Sequence, residues 1–357
     1  WFRGNNAVLQ SPPSQCRRQP QLTAIRFSLL EGPRDRLVPS ALRLLTGSMP
    51  PDLESNCGFI PVSLDEISHK VRWRDVGRFH FYQGFFNDAL KVCSALQGKE
   101  PEILLSDLKD LPPTEGGLDS LTPTAFIFHA GRCGSTLLAK ILARSREHLV
   151  FGEAAPHSQI WNLLPPDADG ATDLYRRLIL AMGRRRLPSY RAHIIKFTSF
   201  NVLEARFIRR AFPGVPSLFL FRRPDAMLAS YRREPPSWLG FDHKLVRDLA
   251  TPESAVEAFF TAALSITKED FRYLDYERLT PESLPEILRY LRLQPPASDI
   301  PLMLNEFSWN AKSASPEPFN PQGPENPGPV PPSIEALYRQ LKERSFDPTR
   351  KVLSHRS

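Results

Sequence analysis

From Ala125 onward the chain alternates short, uninterrupted apolar runs with amphipathic stretches, and this alternation limits the fold more than any other feature. The runs AFIFH (125–129), LVFGE (149–153), AHIIKFTS (192–199), SLFLF (217–221) and FRYLDY (271–276) read as strands. A continuous apolar run, rather than a two-residue alternation, is the form of a parallel strand covered on both faces. Helical text separates them. Leu137, Leu138, Ile141 and Leu142 fall on one side of a helix after the first strand, and 201–212, 253–266 and 281–293 read as further helices. Residues 173–187 read as a helix with a basic carboxyl-terminal end, an arrangement that suits the helix dipole. The predicted class is α/β: three layers with a central, mostly parallel sheet, and an N-terminal appendage.

Four regions follow from the text. Residues 1–54 are rich in Pro, Arg and Ser without a sustained apolar period and read as a poorly ordered or loosely packed arm. Residues 55–120 read as a small lead-in subdomain, dense in aromatics and then helical, closed by the linker LPPTEGGLDSLTP (111–123). The α/β domain spans 121–294. Residues 295–357 read as an irregular tail in which Pro316, Pro318, Pro321, Pro324 and Pro327 exclude regular structure, with a final helix near SIEALYRQLKER packing on the α/β domain. No internal repeat is present.

The formal charge of +7 (46 Lys and Arg against 39 Asp and Glu) suits anionic ligands but is no basic stripe interleaved with aromatics, and nucleic acid is not an expected partner. Cys16, Cys57, Cys93 and Cys133 form no CxxC pair, which points away from a disulfide framework or a Cys-based zinc site and toward a reducing, cytoplasmic setting. No stretch approaches the roughly 18 apolar residues of a membrane span, and no spacing of His, Cys and Asp suggests a metal site.

The strand AFIFH breaks into His129-Ala130-Gly131-Arg132-Cys133-Gly134-Ser135-Thr136 before its helix starts. Backbone amides of a loop entering a helix converge on one spot, and the helix dipole adds positive potential, so such a break can cradle phosphate or sulfate. Gly131 and Gly134 permit close backbone approach, Ser135 and Thr136 offer hydroxyls, and Arg132 offers a two-pronged cation. The loop is not a Walker A motif: with Gly134 as its second glycine, Ser135 stands at the lysine position and His129 at the first glycine. A second break follows SLFLF, where Arg222 stands at the strand's end, Pro224 opens a helix and Ser230 lies eight positions beyond Arg222. Ligands of open α/β sheets bind at the carboxyl ends of strands, so two anion sets there suggest a ligand with two phosphate clusters.

Together these stretches resemble the sulfotransferases that use 3′-phosphoadenosine 5′-phosphosulfate (PAPS). Their first loop runs P-[KR]-[SC]-G-[ST]-T, matched by Gly131–Thr136 except for Gly131 in place of Pro. The resemblance covers 125–293 and implies a P-loop-like nucleotide-binding fold. It implies that Gly131, Arg132, Cys133, Gly134, Ser135 and Thr136 hold the 5′-phosphosulfate and that Arg222 and Ser230 grip the 3′-phosphate, with Arg223 departing from the usual R-[DN]-P. DYERL (275–279) is similar to the family's YEDL and puts Tyr276 near the nucleotide, and Lys312 is a further candidate for a late phosphate contact. IIKFTS (194–199) resembles the strand whose lysine, here Lys196, serves the sulfuryl group. The histidine that the cytosolic small-molecule branch carries two residues later is Thr198 here. The protein-tyrosine and several bacterial branches take a glutamate from text like CGE, which FGE (151–153) matches with Glu153.

The resemblance thus implies a PAPS-dependent sulfotransferase acting on an acceptor hydroxyl or amine without a metal, with Glu153 as general base and Arg132 and Lys196 stabilising charge. Small-molecule, glycan and peptide acceptors remain open, as does oligomeric state. Loops 154–172 and 232–250 are the expected source of the acceptor pocket. Two other readings stay open: an ATP- or GTP-dependent P-loop phosphotransferase, and a catalytically inactive nucleotide-binding interaction protein. Arg184, Arg185 and Arg186 read as a solvated helix end, with steering of an anionic acceptor as the alternative.

Overall fold

The computed structural model describes residues 42–44, 58–98, 100–240, 242–266, 271–309, 311 and 328–347, all within the unit Ser40–Ser357. Apart from residues 42–44, the expected arm 1–54 lies outside the described residues, as do Cys16, Cys57, Lys312 and the prolines from Pro316 to Pro327.

The five apolar runs form one parallel sheet. Its strands are β5 (Pro123–His129), β6 (His148–Gly152), β7 (Ala192–Lys196), β8 (Ser217–Phe221) and β9 (Phe271–Asp275), in the order β6-β7-β5-β8-β9. Every residue of β6, β7 and β8 is buried, as their unbroken apolar text requires. Alternate side chains go to opposite faces. Phe126 and Phe128 of β5 join Ile195, Phe219, Phe221, Phe271 and Tyr273 on one face, while Ala125 and Ile127 join Val150, Ile194, Leu218, Leu220 and Leu274 on the other.

Helices cover both faces. On the phenylalanine face lie α3 (Ala155–Leu163), α4 (Ala171–Met182), α5 (Ala205–Ala211), α6 (Pro224–Arg233), α7 (Pro252–Leu264) and α10 (Pro332–Glu343). On the other face lie α2 (Ser135–Ala143), α8 (Leu284–Tyr290) and α9 (Ile300–Asn305). The architecture is the three-layer α/β arrangement that the alternation predicts. Chain order turns back at the central strand: β6 and β7 lie to one side of β5, β8 and β9 to the other. That reversal opens a crevice at the carboxyl end of β5.

A second sheet precedes the first. It joins β1 (Leu42–Leu44), β2 (Phe59–Asp65), β3 (Lys70–Asp75) and β4 (Ile103–Asp107) in the order β1-β4-β3-β2, with α1 (Phe86–Gln97) between β3 and β4. Ile60, Val76, Phe81, Phe86, Ala89 and Cys93 from this region pack on Leu149 and Phe151 of β6. The lead-in region thereby packs on one face of the main sheet's edge strand.

The reading of residues 173–187 needs correction. Helix α4 stops at Met182, Gly183 closes it, and the three arginines that follow are not a solvated helix end. Arg184 and Arg186 are buried. Arg186, 1% exposed, donates from Nη1 to the carbonyls of Gly77 (3.1 Å) and Phe79 (2.8 Å) and lies over the Phe81 ring at 5.0 Å. Arg185 donates to Asp119 and to the Tyr190 carbonyl. Loop carbonyls that no sheet satisfies need donors when buried, and these guanidiniums supply them. Arg184 and Arg186 tie the lead-in region to the segment after α4.

Arg186→Ala leaves two carbonyls short of a donor and opens a void beside Phe81. We expect it to cost about 2–4 kcal/mol, read as a lower urea midpoint at unchanged slope. A loss within about 0.5 kcal/mol, the size of an ordinary surface change, would contradict the strut role.

Candidate active site

Each strand of the parallel sheet delivers a candidate residue at or just past its carboxyl end: the 131–136 loop after β5, Glu153 after β6, Lys196 at the end of β7, Arg222 after β8 and Tyr276 after β9. Parallel strands bring these ends to one side of the sheet, so the 131–136 loop, Glu153, Arg222 and Tyr276, spread over 146 positions (276 − 130), share one crevice, whereas Lys196 is fully buried and does not line it. Most of them line a cavity of about 400 Å³.

The loop after β5 is held in a shape that few residues tolerate. Gly131, Arg132 and Gly134 have φ of 80°, 51° and 81°, all left-handed. A Cβ on Gly131 would overlap the Tyr231 hydroxyl, which donates to the Ala130 carbonyl at 2.9 Å. This explains why glycine replaces proline at that place: proline locks φ near −65°. A Cβ on Gly134 would come within 2.6 Å of the Tyr276 ring. Helix α2 then begins without a side-chain cap, leaving its first amides directed at the cavity beside Ser135 and Thr136.

Two loop residues sit differently from a simple cradle. The Cys133 thiol turns into the sheet and donates to the Leu220 carbonyl at 3.2 Å, and burial pushes its pKa up to about 11. Its contribution to a ligand is therefore its backbone. Arg132 reaches back to Glu234 just past α6, bonding its carboxylate at 2.8 Å and its carbonyl. Glu234 is 70% exposed, and an ion pair on so exposed a carboxylate holds weakly.

On the β8 side, Pro224 opens α6 and leaves Arg222 on the cavity wall with Ser230 one helical stretch further on. The Arg222 guanidinium lies over the Tyr276 ring at 4.5 Å, and among the described residues it has no hydrogen bond or ion pair. Arg223 points outward and grips Asp225 in a bidentate pair. Tyr276 is placed by the turn that Asp275 caps, accepting from the Glu277 amide at 3.1 Å.

On the other side of the β5 loop from Arg222, at the ends of β6 and β7, lies a charged pair. Lys196 has no exposed side-chain surface; its ammonium bonds Glu153 Oε1 and lies 4.9 Å from the centre of the Phe85 ring. Glu153 has a left-handed φ of 54°, costly for a residue with a Cβ, and its amide donates to the Lys196 carbonyl at 2.7 Å, continuing the β6–β7 ladder. Burial alone would raise the Glu153 pKa, but the Lys196 ammonium and the His129 ring outweigh it and hold the carboxyl near 2. A raised pKa, which a resting general base would favour, is not what this geometry gives. Thr198, at the place of the small-molecule branch's histidine, is bonded to Ser158 at 3.1 Å and does not line the cavity.

The cavity also contains Phe85, His129, Tyr231 and Trp309, to which no motif gave a role, together with Ser199 from the IIKFTS stretch and Trp238 from the loop 232–250. Phe85 comes from the start of α1, and the Gly84 carbonyl before it presses on Gly152, so the lead-in region forms part of the wall. Only the aromatic density of residues 71–86 hinted at it. Among the described residues no group of three or more His, Cys, Asp or Glu is placed to hold a metal ion, and no helix is long and apolar enough to cross a membrane.

No family model matches the chain, and no curated protein matches it. Solved structures do. A sulfotransferase domain from the Synechococcus PCC 7002 olefin synthase is 16% identical, with 63% of this chain covering 94% of that one at a TM-score of 0.38. The sulfotransferase domain of the curacin biosynthetic pathway is 15% identical over 62% of this chain and 98% of that one, at a TM-score of 0.41. Mouse sulfotransferase SULT7A1, complexed with PAP, is 16% identical over 66% and 86%, at 0.31. These structures that the chain resembles are sulfotransferases. At such identities and TM-scores, the chemistry has to be argued from the site itself.

Replacing Lys196 by Met removes the ammonium and leaves Glu153 with burial as the dominant influence. Its carboxyl should then titrate above the ordinary 4.5 instead of near 2, followed by carboxyl carbon NMR and assigned with Glu153→Gln. A titration that stays below 4.5 would show that Lys196 is not what holds the carboxylate ionised.

Proposed function

We propose that this protein is a sulfotransferase that takes PAPS as donor and moves its sulfuryl group to a hydroxyl or amine of a small-molecule, glycan or peptide acceptor. The observation that carries this reading is the pairing of two anion sets across one crevice. Uncapped amides of α2 lie on one side, and the Arg222 guanidinium, with no protein counter-ion among the described residues, lies on the other. A half-buried guanidinium stacked on a ring and lacking a carboxylate calls for an anionic ligand. An adenosine carrying phosphate at both ends fits such a pair.

In the reaction, the bond between sulfur and the bridging phosphate oxygen breaks while a bond from the acceptor oxygen or nitrogen to sulfur forms. The acceptor's proton passes to Glu153, and the leaving phosphate keeps the electron pair. As in phosphoryl transfer, the protein's part is chiefly to position the partners and stabilise spreading negative charge. Lys196 supports both the base and the donor. When the phosphosulfate draws its ammonium, Glu153 loses the charge that depressed its basicity, and burial then favours proton uptake. Donor binding thus switches on the base. Arg132 joins by leaving Glu234 for the sulfuryl oxygens, at small cost because the Glu234 carboxylate is so exposed.

The phosphotransferase reading is disfavoured by Ser135, which stands where a Walker lysine would reach a terminal phosphate. Calorimetry with the desulfo product, 3′-phosphoadenosine 5′-phosphate (PAP), separates the readings. The account expects micromolar, metal-independent binding that Arg222→Ala abolishes. It also expects Glu153→Gln to lower turnover by about 10²–10⁴ while PAP affinity stays within a few-fold. Failure to bind PAP, with ATP bound only alongside Mg²⁺, would replace this reading by the phosphotransferase. PAP binding without turnover on any acceptor would favour the inactive nucleotide-binding protein.

A further inference from the structure

His129 closes β5 and forms the cavity floor beneath the loop, yet the chemistry above gives it no task. Its ring is 4% exposed. The Gly131 amide reaches Nδ1 at 2.9 Å, and an amide N–H only donates, so Nδ1 carries a lone pair. Nε2 lies 2.9 Å from the Phe197 carbonyl oxygen, which only accepts, so Nε2 carries the proton. The two partners select one tautomer of a neutral ring. Nε2 also stands 3.6 Å from Glu153 Oε1, the oxygen that holds Lys196.

The ring therefore touches three parts of the site that come from three segments. Gly131 is the first left-handed residue of the loop, Phe197 follows Lys196 directly, and Glu153 follows β6 directly. We propose that His129 is a positioning residue that ties the donor cradle to the Lys196–Glu153 pair, holding the Gly131 amide on Nδ1 and the Phe197 carbonyl on Nε2 so that donor and base keep a fixed separation. This rests on the sulfonucleotide reading of the cavity. Without an acceptor at Nδ1, the Gly131 amide is buried and unpaired, and a loop with left-handed φ at positions 131, 132 and 134 loses what holds it in shape. A proton on Nδ1 would set donor against donor. Two charged groups face the ring, Lys196 from the end of β7 and Glu153 from the end of β6. Burial and the lysine disfavour the imidazolium, the glutamate favours it, and the pKa lies below 6.5 on balance.

Two amide substitutions split the tie. In His129→Asn the side-chain oxygen stands where Nδ1 stands and still accepts from Gly131, but nothing reaches Phe197. In His129→Gln the amide nitrogen stands where Nε2 stands and reaches Phe197, but Gly131 is left unpaired. PAP affinity, read by calorimetry, should stay within about 3-fold of wild type in the Asn variant. It should fall about 5- to 150-fold in the Gln and Ala variants, the range for a buried donor left unpaired. Turnover should fall in the Asn variant with the donor KM unchanged, because only the Lys196 side of the tie is lost. Nitrogen-15 NMR of the wild-type imidazole should find Nδ1 proton-free and Nε2 protonated near neutral pH.

Gln and Ala variants that fold and bind PAP as tightly as wild type would overturn the proposal while leaving the donor reading intact. So would a protonated Nδ1 in the wild-type protein, a measurement that needs no variant to fold. Wild-type protein that fails to bind PAP would instead sink the donor reading, and the NMR result would still decide whether the tie exists.

Discussion

A lysine with no exposed surface must have its charge answered inside the protein, because an unpaired ammonium there would cost several kcal/mol. Lys196 meets this with Glu153, and much of the site follows from that one pairing. Glu153 accepts a left-handed backbone to present its carboxylate, and its amide extends the β6–β7 ladder one step beyond Gly152. Phe85 lies against the ammonium and closes it off from above. His129 stands beneath the same carboxylate. A pair this buried is weak evidence of added stability, since apolar residues could fill the same space at no loss. Its retention at the carboxyl ends of two parallel strands makes better sense as chemistry held ready for a ligand.

The sheet makes that chemistry possible by geometry alone. Five parallel strands end on one side of the sheet, and the turn-back of chain order at β5 leaves room for a ligand between the loop before α2 and the start of α6. The lead-in region, which looks like an appendage in the text, packs on β6 and supplies Phe85 to the cavity wall. Its attachment through Arg184 and Arg186 is therefore part of how the site keeps its shape.

The sequence made legible whatever depends on a short, local pattern. Unbroken apolar runs located β5 to β9, and glycines set before a helix located the loop, because strand burial and left-handed turns restrict residue type position by position. What side chains do at long range was not legible. Nothing adjacent to Arg132 says that it turns to Glu234, 102 residues on, or that Cys133 points into the sheet. The three arginines after α4 read as surface because isolated text cannot show which carbonyls they must satisfy. His129 was visible only as a misfit at a Walker glycine. Its roles need the Phe197 carbonyl, 68 positions away, to be seen beside it. The low pKa of Glu153 likewise depends on a neighbour 43 residues distant.

The central claim is that the crevice is built for an adenosine phosphorylated at both ends, with donor, base and lysine in one line. A crystal structure of the complex with PAP tests it most directly. The account predicts the 5′-phosphate on the amides at the start of α2, within reach of Lys196, and the 3′-phosphate between Arg222 and Ser230 with Tyr276 alongside. A nucleotide bound in the reverse sense, or one that leaves Arg222 without a phosphate, would contradict it.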